Sequence, residues 1–343
     1  MRNKAFLLVI VAALVAMVFV PVGAQERTLG PITQRIIERG SLICGVNSTV
    51  VGFGAVNDAG EYSGFDIDTC RAIAAAILGD ANAVTFRPLT AAERPTVLAS
   101  GEVDLISRNT TKTLSRETDW GATFAPTTFY DGQGVMARTA DGVATLEDLA
   151  GGTICTNAGT TTELNITDAM ASRGLDFTLQ TFQEFDSVMA AFDEGRCDAV
   201  TTDISSLISR RATAADPGSY TILTAVLSKE PLGPLSPQND PQFADIIEWT
   251  IHGLVQAEEW GITSENVDSF LESENPDIQR FLGVGENLAG DYLGIENDFM
   301  VTVIRSVGNY GEIFERHLTP LGVERGVNAL WTNGGLHYAP PFR

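Results

Sequence analysis

The sequence predicts an α/β protein of two lobes joined by a pair of connectors. Three observations carry this. Strands alternate with helices at the spacing of parallel βαβ units, the same order begins again near Gly151, and a Gly-bearing extended run, FYDGQGVMART, separates the two copies while the chain returns through AVLSKEPLG near Lys229. One repeated pattern implies two cores, and two connectors side by side make a hinge. The expected boundaries are residues 25–135 with 228–343 for lobe 1, including a helical C-terminal extension, and 136–227 for lobe 2.

Arg2 and Lys4 precede an apolar run from Ala5 to Val20, and Val22-Gly23-Ala24 offers small residues ahead of Gln25. This predicts a signal peptide over 1–24. An uncleaved anchor is the alternative, because the run nearly reaches the ~17 residues needed to span a bilayer. In lobe 1, LICGVN predicts a strand. GFDIDTCRAIAAAIL predicts a helix with Asp66 and Asp68 in its first turn, where the helix dipole favours anions. VTFRPL and DLISRN predict further strands, with a helix ending at Gly101 between them. In lobe 2, GGTICTN, FTLQTF and CDAVTTD predict strands, a helix is expected from Thr161 to a C-cap at Gly174, and SVMAAFDEG predicts another. From Phe243 the pattern is helical, in IIEWTIHGLVQAEEWG and VIRSVGNYGEIFERHL, with a Gly- and Asn-rich surface excursion expected over 275–298.

A formal net charge of −22 excludes a phosphate-neutralising nucleic-acid partner. Cys44, Cys70, Cys155 and Cys197 are an even set in a chain bound for an oxidising space. Pairing Cys44 with Cys70 and Cys155 with Cys197 keeps each bridge within one strand-helix unit of one lobe. No CxxC spacing or neighbouring His suggests a metal, and no metal, cofactor or catalytic residue is expected. GxSxG, Walker A and HExxH signatures do not occur.

Ligands of open α/β sheets bind at the carboxyl ends of the strands. Those ends carry Asn47, Asn109 to Thr113, Asn157 to Thr162 and Asp203. The set suits a zwitterion, with a guanidinium for the carboxylate and a carboxylate for the ammonium. Arg116 and Asp203 are the candidates. Arg116 is alternatively a surface residue paired with Glu117, Asp203 an N-cap, and Thr160 to Glu163 a capping box. Thr161 and its neighbours also present backbone N–H groups at a helix start, an anion site. Phe53 and Phe65 read as core.

GFDID, GEVDLISRNTTKTLSRE, YDGQG, AGTTTELN, GRCDAVTTD, SKEPLGP and VGNYGEIFERHL resemble the polar amino-acid branch of periplasmic solute-binding proteins, and more narrowly its general L-amino-acid-binding members. The resemblance implies a type II, Venus-flytrap periplasmic-binding-protein fold with two interlobe crossovers. It implies a monomeric receptor that binds a free L-amino acid and delivers it to an ABC transporter permease. It assigns Arg116, Thr111 and a backbone N–H near Thr161 to the ligand carboxylate, and Asp203 with the Asn109 carbonyl to its ammonium; Asn47 and Asn157 complete the expected site. Many relatives have aromatics where this chain has Val50 and Ala91, which implies a roomier pocket. Arg94, Arg108 and Lys112 either favour acidic or amide side chains or form surface ion pairs. Two alternatives share the fold: a cyclohexadienyl dehydratase-like enzyme using Glu163 or Asp131, and a ligand-binding partner of a membrane sensor.

Overall fold

The computed structural model describes residues 29–286 and 288–343; the expected signal peptide lies outside them. In lobe 1, α1 (Pro31–Arg39) leads to β1 (Leu42–Val46), a three-stranded flap of β2 (Thr49–Val50), β3 (Gly54–Val56) and β4 (Tyr62–Ser63), and α2 (Phe65–Leu78). β5 (Val84–Pro88), α3 (Arg94–Ser100), β6 (Leu105–Ile106), α4 (Leu114–Asp119) and β7 (Ala122–Phe124) follow. The long β8 (Phe129–Arg138) then crosses into lobe 2. That lobe contains β9 (Thr153–Asn157), α5 (Thr161–Ala171), β10 (Thr178–Phe182), α6 (Phe185–Asp193), β11 (Ala199–Asp203), α7 (Ile204–Thr213) and β12 (Tyr220–Ile222). The chain returns through β13 (Lys229–Leu232) and β14 (Leu235–Pro237) to the helices α8 (Pro241–Glu259), α9 (Val267–Phe270), α10 (Pro276–Phe281), α11 (Ala289–Leu293), α12 (Phe299–Val307) and α13 (Tyr310–His317).

Lobe 1 has the strand order β5-β1-β6-β14-β7 and lobe 2 the order β10-β9-β11-β8-β12. In each, three parallel strands meet an antiparallel return strand. β8 belongs to two pairings at once: its residues Phe129–Gly132 pair with β13, and Gln133–Ala137 pair with β11. The two connectors are therefore one antiparallel ribbon. α2 is buried nearly all round, Phe65 through Ile77 apart from Arg71, because the flap, the sheet and α12 cover it. Phe53 and Phe65 pack with Phe129, the Phe53 and Phe129 rings meeting edge-on at 5.2 Å, as expected of core aromatics.

Three expectations need correction. The helix beginning at Thr161 ends at Ala171 with Ser172 as its cap; Gly174, at φ 67°, closes the following turn. VIRSVGNYGEIFERHL forms two helices, because Gly308 leaves the helical path at φ 85° and Asn309 with Glu312 makes a capping box that starts α13. The segment over 275–298 is not a surface excursion: Phe281, Leu282 and Leu293 are buried in the lobe 1 core.

Cys44 on β1 is bonded to Cys70 on α2, and Cys155 on β9 to Cys197 just before β11, so each bridge ties a strand to its own lobe. The bridges close 26 and 42 residues of chain. Replacing Cys155 and Cys197 together with Ser is expected to cost about 4 kcal/mol in the chain-entropy picture, and the Cys44, Cys70 pair about 3.5. Urea unfolding of the oxidised parent and of each double variant measures this.

Candidate functional site

The carboxyl ends of the two sheets face one another across a cleft of about 540 Å³, its open mouth included. Asn47, Asn109, Thr111 and Arg116 line it from lobe 1, and Asn157, Thr161 and Asp203 from lobe 2. The structure thus brings all the expected site residues together. The lobes are closed upon each other. The Ser209 hydroxyl donates to the Val51 carbonyl at 2.7 Å and Arg210 to that of Thr49 at 2.9 Å. A Cβ on Gly159 would lie 3.2 Å from the Ala92 Cα.

Local sequence explains how each group is held. Asp66, buried in the first turn of α2, accepts the Asn109 N–H at 2.6 Å and the Ser107 hydroxyl at 3.3 Å, so the loop after β6 is pinned from beneath. Burial pushes the Asp66 carboxyl up to about 6, against the pull of those bonds. Asn109 sits at φ 32°, where a side chain other than Asn, Asp or Gly is strained. Its amide donates to Asp203 across the cleft at 3.0 Å and accepts from Asn47 at 3.3 Å. Asn157 spends its amide donors within lobe 2, on the carbonyls of Phe182 and Gln183, both at 3.3 Å.

Arg116 is not a surface residue. Thr113 caps α4 by accepting the Arg116 N–H, and the guanidinium turns inward, 7% exposed, donating to the Thr111 carbonyl at 3.0 Å over the Trp120 ring. Burial lowers its pKa, while Glu230 and Asp203 hold it up. Glu117 instead meets Lys112 at 3.2 Å, in an exposed pair outside the cleft. Asp203 does stand at the N-cap position of α7, yet its side chain makes no capping bond and points to Asn109. Burial, then Asp131 and Glu230, push its carboxyl well above the usual range; without a cation, its ionised form is costly. At α5, Thr160 takes the capping role, accepting the Glu163 N–H at 3.2 Å, and leaves Thr161 to face the cleft.

Glu230 was not among the expected site residues. It is 1% exposed, on the returning connector, and accepts hydrogen bonds from Thr111 at 2.6 Å, Thr161 at 2.8 Å and Asn165 at 2.9 Å, as well as from Ser228. One carboxylate therefore ties lobe 1 to lobe 2 through the hinge. A hydroxyl has a single proton. In this closed arrangement the protons of Thr111 and Thr161 go to Glu230, leaving Arg116 and the N–H groups that open α5 as donors for an anion at that end of the cleft. The available sequence signal was an acid in each connector: Glu230 stands opposite Asp131 in the ribbon.

Val50 and Ala91 line the cleft as small walls, with Phe185 the aromatic among its lining residues; Arg94 and Arg108 line it too. Neither Glu163 nor Asp131 does. Glu163 accepts the Gly159 N–H at 2.9 Å, and Asp131, pushed up to about 6 chiefly by burial, accepts from Gly132 and Ser205 beside the ribbon. Among the described residues no group of His, Cys, Asp and Glu is arranged to hold a metal, and no helix is long and apolar enough to cross a membrane.

The chain is similar to known proteins over its whole length. It is 46% identical over 347 residues to the general L-amino acid-binding periplasmic protein AapJ of Rhizobium johnstonii, covering 100% of both chains. It is 45% identical to the glutamate/glutamine/aspartate/asparagine-binding protein BztA of Rhodobacter capsulatus, over 89% of this chain and 91% of that one. A solved Brucella ovis periplasmic binding protein with glutathione bound superposes with a TM-score of 0.88 at 46% identity, covering 91% of this chain and 99% of that one. Residues 42–266 match the family model of bacterial extracellular solute-binding proteins, family 3. With the two-lobed fold and the closed cleft between its sheets, the chain belongs to the family 3 bacterial extracellular solute-binding proteins.

Proposed function

We propose that this chain is a periplasmic receptor that closes on a free L-amino acid and delivers it to the permease of an ABC transporter, acting as a monomer without catalysis. The observation that carries the reading is a buried guanidinium, Arg116, and a buried carboxylate, Asp203, contributed to one cleft by opposite lobes. Neither forms an ion pair within 4 Å among the described residues. A zwitterion supplies the missing counter-charge to both at once. Residues 1–24 direct export, 25–135 with 228–343 form lobe 1, and 136–227 form lobe 2, which swings about the connector ribbon. Arg116 and the N–H groups at the start of α5 hold the α-carboxylate, and Asp203 with the Asn109 carbonyl holds the ammonium. Asn47 and Asn157 frame the cleft, and Val50 and Ala91 leave room for varied side chains. The relatives named for amino-acid binding support an amino acid as the ligand.

A thermal-shift screen of the mature chain against the common L-amino acids tests it. A ligand present at ~100 times its dissociation constant stabilises the fold by about 2.7 kcal/mol. A flat response across the panel overturns the reading.

A further inference from the structure

The cleft has two ends, and the strand orders tell them apart. In lobe 1, β6 leads into Thr111, which bridges to Leu232 on the returning connector, whereas β5 is the outer edge and ends beside Leu89. In lobe 2, β11 lies next to β8 and ends at Asp203, opposite Gln133, whereas β10 is the outer edge and leads into Glu184 and Phe185. Arg116, Thr111 and Asp203 therefore gather at the hinge end. Leu89, Ala91, Glu184 and Phe185 gather at the outer end. An amino acid held by its backbone groups at the hinge end directs its side chain outward.

Two further arginines line the cleft, and their donors are used differently. Arg94 donates from every guanidinium nitrogen: to the Ala91 carbonyl at 2.9 Å, to the Thr110 hydroxyl at 3.1 Å and to the Gly159 carbonyl of lobe 2 at 3.4 Å. Three of its five N–H groups are thereby used, and the last of these bonds ties lobe 1 to lobe 2. Arg108 donates only from Nε, to the Leu89 carbonyl at 2.7 Å, although the residue is just 8% exposed. That bond orients it to the outer end and leaves both terminal nitrogens, a pair that can grip a carboxylate end-on through two parallel N–H···O bonds, without a hydrogen bond among the described residues. Arg108 also forms no ion pair within 4 Å among the described residues.

We propose that Arg108 is a specificity-determining residue that grips the side-chain carboxylate of the ligand, so that the site favours dicarboxylic amino acids, such as glutamate, over their neutral counterparts. This rests on the amino-acid reading above. Glu184, exposed at the start of α6, is the largest favourable charge acting on Arg108 and competes with the ligand for it.

Calorimetric titration of the mature chain with glutamate, glutamine and leucine, repeated for Arg108→Gln, Arg108→Lys and Glu184→Gln, tests the assignment. The parent is expected to bind glutamate at least tenfold more tightly than glutamine. Arg108→Gln is expected to lose that preference by weakening glutamate alone, while Arg108→Lys retains part of it. Glu184→Gln, at the outer end of the cleft, is expected to tighten glutamate severalfold relative to leucine. Equal losses for all three ligands in Arg108→Gln, a parent that does not discriminate glutamate from glutamine, or weaker glutamate binding in Glu184→Gln would each overturn the proposal while leaving the amino-acid reading intact. A parent that binds none of the three, nor any amino acid of the thermal panel, overturns both.

Discussion

Asp203→Ala is expected to weaken binding of every amino acid the parent accepts, by roughly 30- to 5,000-fold, the equivalent of about 2–5 kcal/mol for truncating one partner of a buried charged hydrogen bond. The loss is large because the ammonium would enter a cleft lined by three guanidiniums with its buried counter-charge gone. The same residue sets a pH dependence. In the unliganded closed form burial and the neighbouring acids raise its pKa, so below that raised value it holds a proton. The bound form requires the carboxylate, so binding releases that proton. Affinity is therefore expected to rise with pH from the ordinary carboxylate range up to the raised value and then level off. Calorimetry across a pH series measures both effects, and Asp203→Asn should remove the component of the rise that Asp203 supplies. Unchanged affinity in Asp203→Ala would remove this residue from the site.

Glu230→Ala is expected to destabilise the unliganded protein by about 2–4 kcal/mol and to open it. The hydroxyls of Thr111, Thr161 and Ser228 and the amide of Asn165 lose their shared acceptor. Relief of repulsion with Asp131 and Asp203 returns only part of that. Because the acceptor joins both lobes, small-angle scattering should show a larger radius of gyration for the unliganded variant alongside its lower melting temperature. A variant that melts and scatters like the parent would show that the ribbon alone holds the lobes together.

Much of this arrangement was legible in the residues. Strand ends could be read from apolar runs that stop at Asn47, Asn157 and Asp203, and the parallel βα order places such ends on one edge of a sheet. Spacing alone could not decide between Arg116 inward and Arg116 outward. That depends on Thr113 capping a six-residue helix, which turns Arg116 toward Trp120 and leaves Lys112 to Glu117. Arg94 and Arg108 were equally ambiguous, since what separates tie from reader is which carbonyls lie within reach after folding. Glu230 escaped notice because its partners come from residues 111, 161 and 165, remote in the chain and adjacent only once both lobes are built. The break between α12 and α13 did have a local signal: Asn309 three residues ahead of Glu312, directly after a glycine.

The route of β8 has a further consequence. Where the chain enters lobe 2, Gln133 and Val135 accept hydrogen bonds from Leu227 and Leu223, where it leaves, at 2.9 and 2.8 Å. Everything between is one excursion with its own sheet, and its disulfide joins Cys155 to Cys197 without reaching outside. Such a piece has a portable geometry. It can be lifted out or exchanged by splicing at two neighbouring points, so half of a cleft could be transplanted between related receptors while the other half, and the fold that carries it, stays in place.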